Sequence, residues 1–470
     1  MRIRKLLMII LILLLLYIFI GSILPFVRQP EVSEATAESF RIEDFYGDDI
    51  SDERAYIVSD SGEALELRIR MIAEAEEEII YSTGEFRSDK SGKAVLSALL
   101  AASERGVNVR LLVDGFGEIM QMHGNEYFIA LSESENVDIR IYNRMSVLRP
   151  WSIHGLLHDK YIIVDDALYL LGGRNTHDLF LGEQDGSQKP DWELLVYNNG
   201  GRAESLEELR SYFESVWIEP KVTEYAGFGK SIKKSATERA ADELEAIYED
   251  LQREHPDCFE PTEYYSITKP VKKIKLITNP VHTSAKEPVA FYSMTRLMQS
   301  ADEEVRFHTP YIIADEYMNE ELSKICEAVP RVVMMTNSVA NNANPFGAMD
   351  YFKNKDKALD TGVDILEYDG GISYHGKCFV MDDDISGIGS FNWDMRSVYV
   401  DTEMMLVIHS EEINRDLRKA MGEYEENALV VTGLNSYDLP EDLLPHELGW
   451  RRRIKLELLW LPGRFMRFLM

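Results

Sequence analysis

The sequence carries HDKYIIVD at residues 158–165 and HGKCFVMD at residues 375–382, so the pattern His-x-Lys-x-x-x-x-Asp occurs twice. The residues after each lysine, YIIV and CFVM, are apolar or β-branched and are bounded by Asp and Gly turns, which predicts two short buried strands. His158 and Lys160, like His375 and Lys377, stand two residues apart and so share one strand face. A neutral imidazole, with an ordinary pKa of about 6.5, can attack or accept a proton near neutrality, and an ammonium beside it adds fixed positive charge. The pair suits a phosphate. Asp165 and Asp382 complete each catalytic motif. They fall on the opposite strand parity at the start of a turn, where a carboxylate is expected to support the turn or the lysine and not to react.

Each motif runs on into a turn of small residues, LLGGRN (Gly172, Gly173, Arg174, Asn175) and GIGSFN (Gly389, Ser390, Asn392). Glycine and serine there would let backbone approach a ligand closely, and Asn175 and Asn392 could donate to phosphoryl oxygens. One His-x-Lys alone could belong to any core strand. Two copies with the same downstream layout predict a duplicated site.

With these segments quoted, the chain resembles the phospholipase D superfamily, and within it the bacterial cardiolipin synthase branch. The resemblance rests on HDKYIIVDDALYLLGGRNTHDLFLG and YHGKCFVMDDDISGIGSFNWDMRSVYVDTEMMLVI, with HTPYIIADE at 308–316 before the second motif, and runs from about residue 60 to about 430. Its most branch-specific piece is Asn392, Asp394, Arg396 and Ser397. The resemblance implies an α/β fold: a duplicated α/β/α phospholipase D-like sandwich, two similar halves whose motifs meet at one site across a pseudo-two-fold axis. It also implies chemistry that needs no metal and no cofactor.

Composition is compatible. A chain of 470 residues supports two cores, since single cores stop growing at about 250–300 residues. Helical patterns alternate with aliphatic strands, as in GKAVLSALLAASERG before VNVRLLVD, which reads as α/β. The expected boundaries are a transmembrane helix at 6–27, a linker at 28–59, one half at 60–222, a charged helical connector at 223–270, the second half at 271–430 and a basic, aromatic tail at 431–470.

Two histidines permit two steps. One attacks the phosphodiester phosphorus to form a phosphohistidine while the other protonates the leaving alcohol, and an incoming alcohol or water then returns through the second histidine as base. The resemblance favours His158 as nucleophile and His375 as acid/base, though the near-symmetry of the motifs allows the reverse. Lys160 and Lys377 are expected to neutralise the non-bridging oxygens, with Asn175, Asn392 and Ser390 adding hydrogen bonds. A carboxylate usually holds the far nitrogen of such a histidine. Asp191 in DWELLVY and Glu403 in TEMMLVI open apolar strands at corresponding places, with Glu193 a rival on the face of Asp191.

From Leu6 to Val27 the chain is uncharged and apolar, and about 22 residues at about 1.5 Å each give roughly 33 Å, enough to cross a bilayer. The run exceeds the apolar core of about 7–15 residues in a cleaved signal peptide, and no clean A-x-A site follows. Arg2, Arg4 and Lys5 precede it and the acidic EVSEATAE follows, which predicts a single-pass cell-membrane protein with a cytoplasmic N-terminus and an outer catalytic body. The net charge of −31 argues against nucleic acid as partner. The tail GWRRRIKLELLWLPGRFMRFLM interleaves cations with large apolar residues and is expected either to lie in a headgroup layer or to pack on the body. Cys258, Cys326 and Cys378 show no paired or metal-type spacing, and His154 with His158 supplies only two ligands, so no metal site is expected.

The partners expected are the membrane and phospholipid substrates. Phosphatidyl transfer to a second lipid alcohol, such as phosphatidylglycerol or phosphatidylethanolamine, is the leading reaction. Hydrolysis of the phospholipase D type is the alternative, ahead of a nuclease or phosphodiesterase and of a catalytically silent scaffold.

Overall fold

The computed structural model describes residues 2–183, 186–226, 234–434, 436–439 and 444–470. Two nine-stranded sheets carry the same central order. In the first, Val137–Tyr142, Asn108–Asp114 and Glu78–Thr83 run parallel. Antiparallel strands Tyr161–Val164, Leu168–Gly172, Glu193–Asn198 and Glu53–Val58 continue from them. In the second, Asp364–Tyr368, Arg331–Asn337 and Glu304–His308 are the parallel set. Cys378–Met381, Ile385–Gly389, Met404–His409 and Lys273–Thr278 follow antiparallel. Tyr161–Val164 and Cys378–Met381 are buried at every residue, as central strands covered on both faces must be.

Each sheet lies between helices. The outer face of the first buries Ile69, Leu96 and Phe128 from Ser61–Glu74, Lys90–Glu104 and Glu126–Ser132. A shared inner core joins both sheets with helices Glu204–Trp217 and Glu411–Glu425, through Leu171, Trp192, Phe213, Tyr374, Ile388, Met404 and Leu417. Continuous apolar packing of this kind holds the two motifs against one another.

Several boundaries differ from those expected from sequence. Glu53–Val58, placed in the linker, is a strand, because ERAYIV pairs residue for residue with Glu193–Asn198. Phe45, also in that stretch, is buried in the second half's core. Ala428–Gly433 and Ser436–Asp438 extend the second sheet into the expected tail. The charged connector forms the helix Lys234–Glu254, as expected, and docks on the first half through Thr237, Ala240 and Leu244. Residues 227–233 of that connector and 435 and 440–443 of the tail lie outside the described residues.

The N-terminal helix runs Arg2–Ile23 with a 3-10 turn at Leu24–Phe26. Among the described residues one helical stretch, Ile3–Phe26, is long and apolar enough to cross a membrane. Phe26 itself leaves the apolar run and is buried in the second half's core beside His154, so the run ends on the protein body.

Candidate active site

The two motifs meet, and they do so by exchange. His158 Nδ1 lies 2.8 Å from Glu403 Oε1, and His375 Nδ1 lies 2.7 Å from Asp191 Oδ2. Each histidine is therefore held by the carboxylate of the opposite half. Backbone completes the interlock: His158 N–H donates to Thr402 Oγ1 at 2.9 Å, Thr402 N–H to Leu156 O at 3.0 Å, and His375 N–H to Pro190 O at 2.9 Å. With both Nδ1 atoms turned to carboxylates, the Nε2 side of each ring faces away from its acid, and His375 Nε2 lies 3.4 Å from Lys377 Nζ. His154 instead packs edge-on against Phe26, with ring centroids 5.5 Å apart.

Glu193, the rival acid, is not at the site. Its carboxylate is buried between Arg68 and Arg174, with bonds of 2.9 Å to Arg68 Nη1 and 3.4 Å to Arg174 Nη1. Strand parity put it on the face of Asp191, but two residues of strand carry it away from His375 and toward those arginines. A buried carboxylate with two guanidinium partners is already satisfied.

The glycines do other work than expected. A Cβ on Gly173 would collide with the Asp191 carboxylate, and one on Gly172 with Trp192 O. These residues are small so that the strand bearing Asp191 can approach, not to admit ligand. Ser390, placed by sequence on a phosphoryl oxygen, instead donates to Glu403 Oε2 and accepts from Met404 N–H at 3.1 Å. Asn175 Oδ1 accepts from Glu85 N–H at 3.1 Å, which turns its NH2 end the other way, and Asn392 Oδ1 is buried without a hydrogen-bond partner.

Lys160 and Lys377 are fully buried, each with its Nζ on the carbonyl of its own motif histidine. Lys377 Nζ also stands 2.7 Å from His375 Nδ1 and 3.6 Å from Asp191. Asp165 and Asp382 sit in the left-handed region (φ 48° and 46°) at the far ends of the strands. Each accepts three backbone N–H groups, from Glu76, Glu77 and Glu78 at 2.8–3.0 Å and from Asp302, Glu303 and Glu304 at 2.9–3.0 Å. Both aspartates thus tie a turn to the start of a neighbouring strand.

Sequence reading missed the seat of Glu403. Asp394 caps the short helix Met395–Tyr399 by accepting from Ser397 N–H at 2.7 Å, and Ser397 Oγ donates to Glu403 Oε1 at 2.5 Å. Arg396 pairs with Asp401 at 2.6 Å, and Asp401 accepts from Leu156 N–H across the halves at 3.2 Å. The signal was present as an Asp three residues before a Ser, an N-cap spacing. Phe180, packed 4.9 Å from the His375 ring, and Thr402 carried no signal in one sequence.

Electrostatics separate the two pairs. Burial pushes the Asp191 carboxyl up, but Lys377 and the hydrogen bond from His375 outweigh it and hold it down at about 2. Burial pushes Glu403 up to about 8, against Lys160 and the hydroxyls of Ser390 and Ser397. Burial and the adjacent lysines lower both imidazoles, His375 to about 3 and His158 well below its usual range. Burial also brings Lys377 down to about 8. Both rings are therefore neutral nucleophiles or bases at pH 7, and an arriving phosphodiester supplies the negative charge that makes an imidazolium tolerable.

The family model for the cardiolipin synthase, PLD-like domain matches residues 68–217 and 294–424, more than half of the chain. The chain belongs to that family. Cardiolipin synthase C of Escherichia coli K12 is 25% identical over 408 residues, covering 77% of this chain and 83% of its own. Cardiolipin synthase 1 of Staphylococcus epidermidis is 25% identical over 354 residues, 74% of this chain and 62% of its own. The crystal structure of phosphatidylserine synthase from Haemophilus influenzae Rd KW20 superposes with a TM-score of 0.62 at 14% identity, covering 88% of this chain and 95% of that one, which shows the shared fold. At the level of the family, the chain is a phospholipid phosphatidyltransferase.

Proposed function

We propose that this membrane-anchored member of the cardiolipin synthase family transfers a phosphatidyl group between phospholipids through a phosphohistidine. The observation that carries the reading is the reciprocal pairing of His158 with Glu403 and His375 with Asp191, which puts two oriented imidazoles and two buried lysines in one site.

His158 is the nucleophile. Its Nε2 lone pair attacks phosphorus, the bond from phosphorus to the headgroup oxygen breaks, and His375, which takes up a proton from water when the anionic phosphodiester binds, passes that Nε2 proton to the leaving alcohol. In the second step the hydroxyl of an acceptor lipid gives its proton to His375 as its oxygen attacks phosphorus, the phosphorus–nitrogen bond breaks, and His158 is regenerated. His375 takes the proton-carrying role because its partner Asp191 is ionised and favours an imidazolium, whereas Glu403 is held near-neutral at pH 7. Lys160 and Lys377 face the charge that develops on the phosphoryl oxygens.

The donor is phosphatidylglycerol and the acceptor a second phosphatidylglycerol or phosphatidylethanolamine. Mass analysis after incubation of the protein in vesicles of phosphatidylglycerol tests this. Cardiolipin plus free glycerol is the expected outcome. Phosphatidic acid as the main product would mean that water is the acceptor, and would replace transfer by hydrolysis. The helix Ile3–Phe26 is read as a single membrane span with the N-terminus in the cytoplasm, supported by the basic residues before it and the acidic stretch behind it.

A further inference from the structure

Two surfaces outside the catalytic centre expose large apolar side chains, and the fold brings them to one side. The first is the helix Trp450–Gly463. Leu456 and Gly463 are buried, and the helix packs on Pro345–Leu359 through Ala348 and Met349. Trp450, Ile454, Leu458 and Leu461 are exposed, and Phe465 just beyond continues the series. At about 100° per residue these positions fall within about 80° of arc. Arg451 and Lys455 border this stripe on one flank and Arg453 and Arg464 on the other, where Glu457 also lies, neutralised by Lys353 of the body at 2.6 Å. A narrow apolar stripe with cations along both borders is the pattern of a helix lying in a lipid headgroup layer. The tail thus divides its faces: one side packs on the body and the other has no protein partner among the described residues.

The second surface is the loop bearing Val147, Leu148 and Trp151, all exposed. It lies along the N-terminal helix. Tyr17 Oη donates to Leu148 O at 3.0 Å, and a Cβ on Gly21 would touch Pro150 Cγ at 2.5 Å. Residues 17–21 belong to the stretch that crosses the bilayer in the reading above, so the loop beside them is carried to the lipid surface.

Both surfaces connect to the segments that carry the site. The loop leads directly into His154 and His158, and Phe26 packs on His154. Met466, Phe468 and Leu469, which follow the helix, share one apolar cluster with Ile23 and Phe26, and Met470 O accepts from Arg396 N–H at 3.1 Å. The occupant follows from charge: in a chain of net charge −31, four cations along one stripe match an anionic bilayer and not a second copy of this acidic chain.

We infer that the stripe of Trp450–Gly463 and the loop at 147–151 together form a monotopic docking surface, sunk in an anionic bilayer around the end of the N-terminal helix, which sets the mouth of the His158/His375 site on the lipid surface. This rests on the reading of Ile3–Phe26 as a membrane span and deepens the proposed lipid chemistry.

The test places a nitroxide at Leu458→Cys, at Leu148→Cys and, as control, at Glu249→Cys on the exposed side of the helix Lys234–Glu254, in the full chain with Cys326→Ala. The chain is reconstituted in vesicles of phosphatidylcholine and phosphatidylglycerol. Labels at 458 and 148 should collide with oxygen and be shielded from a water-soluble nickel chelate, while the label at 249 should show the reverse. Chelate access at either 458 or 148 equal to that at 249 would overturn the common surface, and dipolar broadening between labels at 458 would assign the stripe to a second copy. Carbonate washing separates the two readings: release of the chain would refute the span, whereas retention with a water-exposed 458 would refute only the docking surface.

Discussion

His158 with Glu403 and His375 with Asp191 are products of one repeated motif, yet their carboxylates differ in charge at neutral pH. Asp191 lies against Gly173, which leaves its flank to Lys377 and His375, and it stays ionised. Glu403 lies against Ser390, the residue corresponding to Gly173, and receives hydroxyls from Ser390 and Ser397 in a fully buried seat that raises it to about 8. Duplication supplied the geometry, and the unequal neighbours support the proposed division of roles. An acid/base histidine needs an anion to stabilise its proton, whereas a nucleophile needs its ring held and neutral.

The largest expected effect comes from the histidines themselves. Replacing His158 by Ala should lower turnover by more than about 10⁴-fold, beyond what loss of acid/base help alone explains. With an activated aryl phosphodiester, whose leaving group needs no proton, His375→Ala should still release one burst equivalent of the phenol and then stall as phosphohistidine. A burst from His158→Ala and none from His375→Ala would invert the comparison.

The carboxylates come next. Asp191→Asn should lower turnover at pH 7 by about 10²-fold or more with little change in KM, while Glu403→Gln, which resembles a carboxyl that is already neutral, should lose less and fall further behind wild type above pH 8. Their stabilities should also diverge with pH. A folded pKa above the ordinary value means that Glu403 costs stability progressively from about pH 4.5 to about pH 8, so urea unfolding should show Glu403→Gln gaining on wild type across that window. The low value of Asp191 stabilises the fold above its ordinary pKa, and that contribution is lost as pH falls toward 2. Asp191→Asn should therefore be the less stable protein at pH 7, and equal responses would remove the charge difference.

The smallest effect on activity is expected where the halves are alike. Asp165→Asn and Asp382→Asn each weaken three backbone hydrogen bonds while keeping a side chain that tolerates positive φ. Each should cost about 1–3 kcal/mol in urea unfolding with turnover per folded molecule within about twofold. A large loss of turnover in either would show that the turn positions its histidine more directly than the geometry indicates.

Much of the architecture was legible. The repeated His-x-Lys-x-x-x-x-Asp with its small-residue turn, the aliphatic runs YIIV and CFVM, and the alternation with amphipathic helices are local patterns, and burial on both faces makes such strands recognisable. Asp191 and Glu403 were visible as acids at the mouths of apolar strands. Less visible were Glu53–Val58, whose alternation is short and charged at its start, and Ser397, whose role depends on a turn of five residues folding back.

The sequence alone determined that this protein has two matching halves with one His-Lys pair each, because strand periodicity and motif spacing depend only on near neighbours. Only the tertiary structure decided which carboxylate serves which histidine, that Glu193 belongs to Arg68 and Arg174, and that Ser390 holds Glu403. Those choices depend on contacts between residues far apart along the chain, set by how the two sheets pack through their shared core, and spacing along one chain carries no record of that packing.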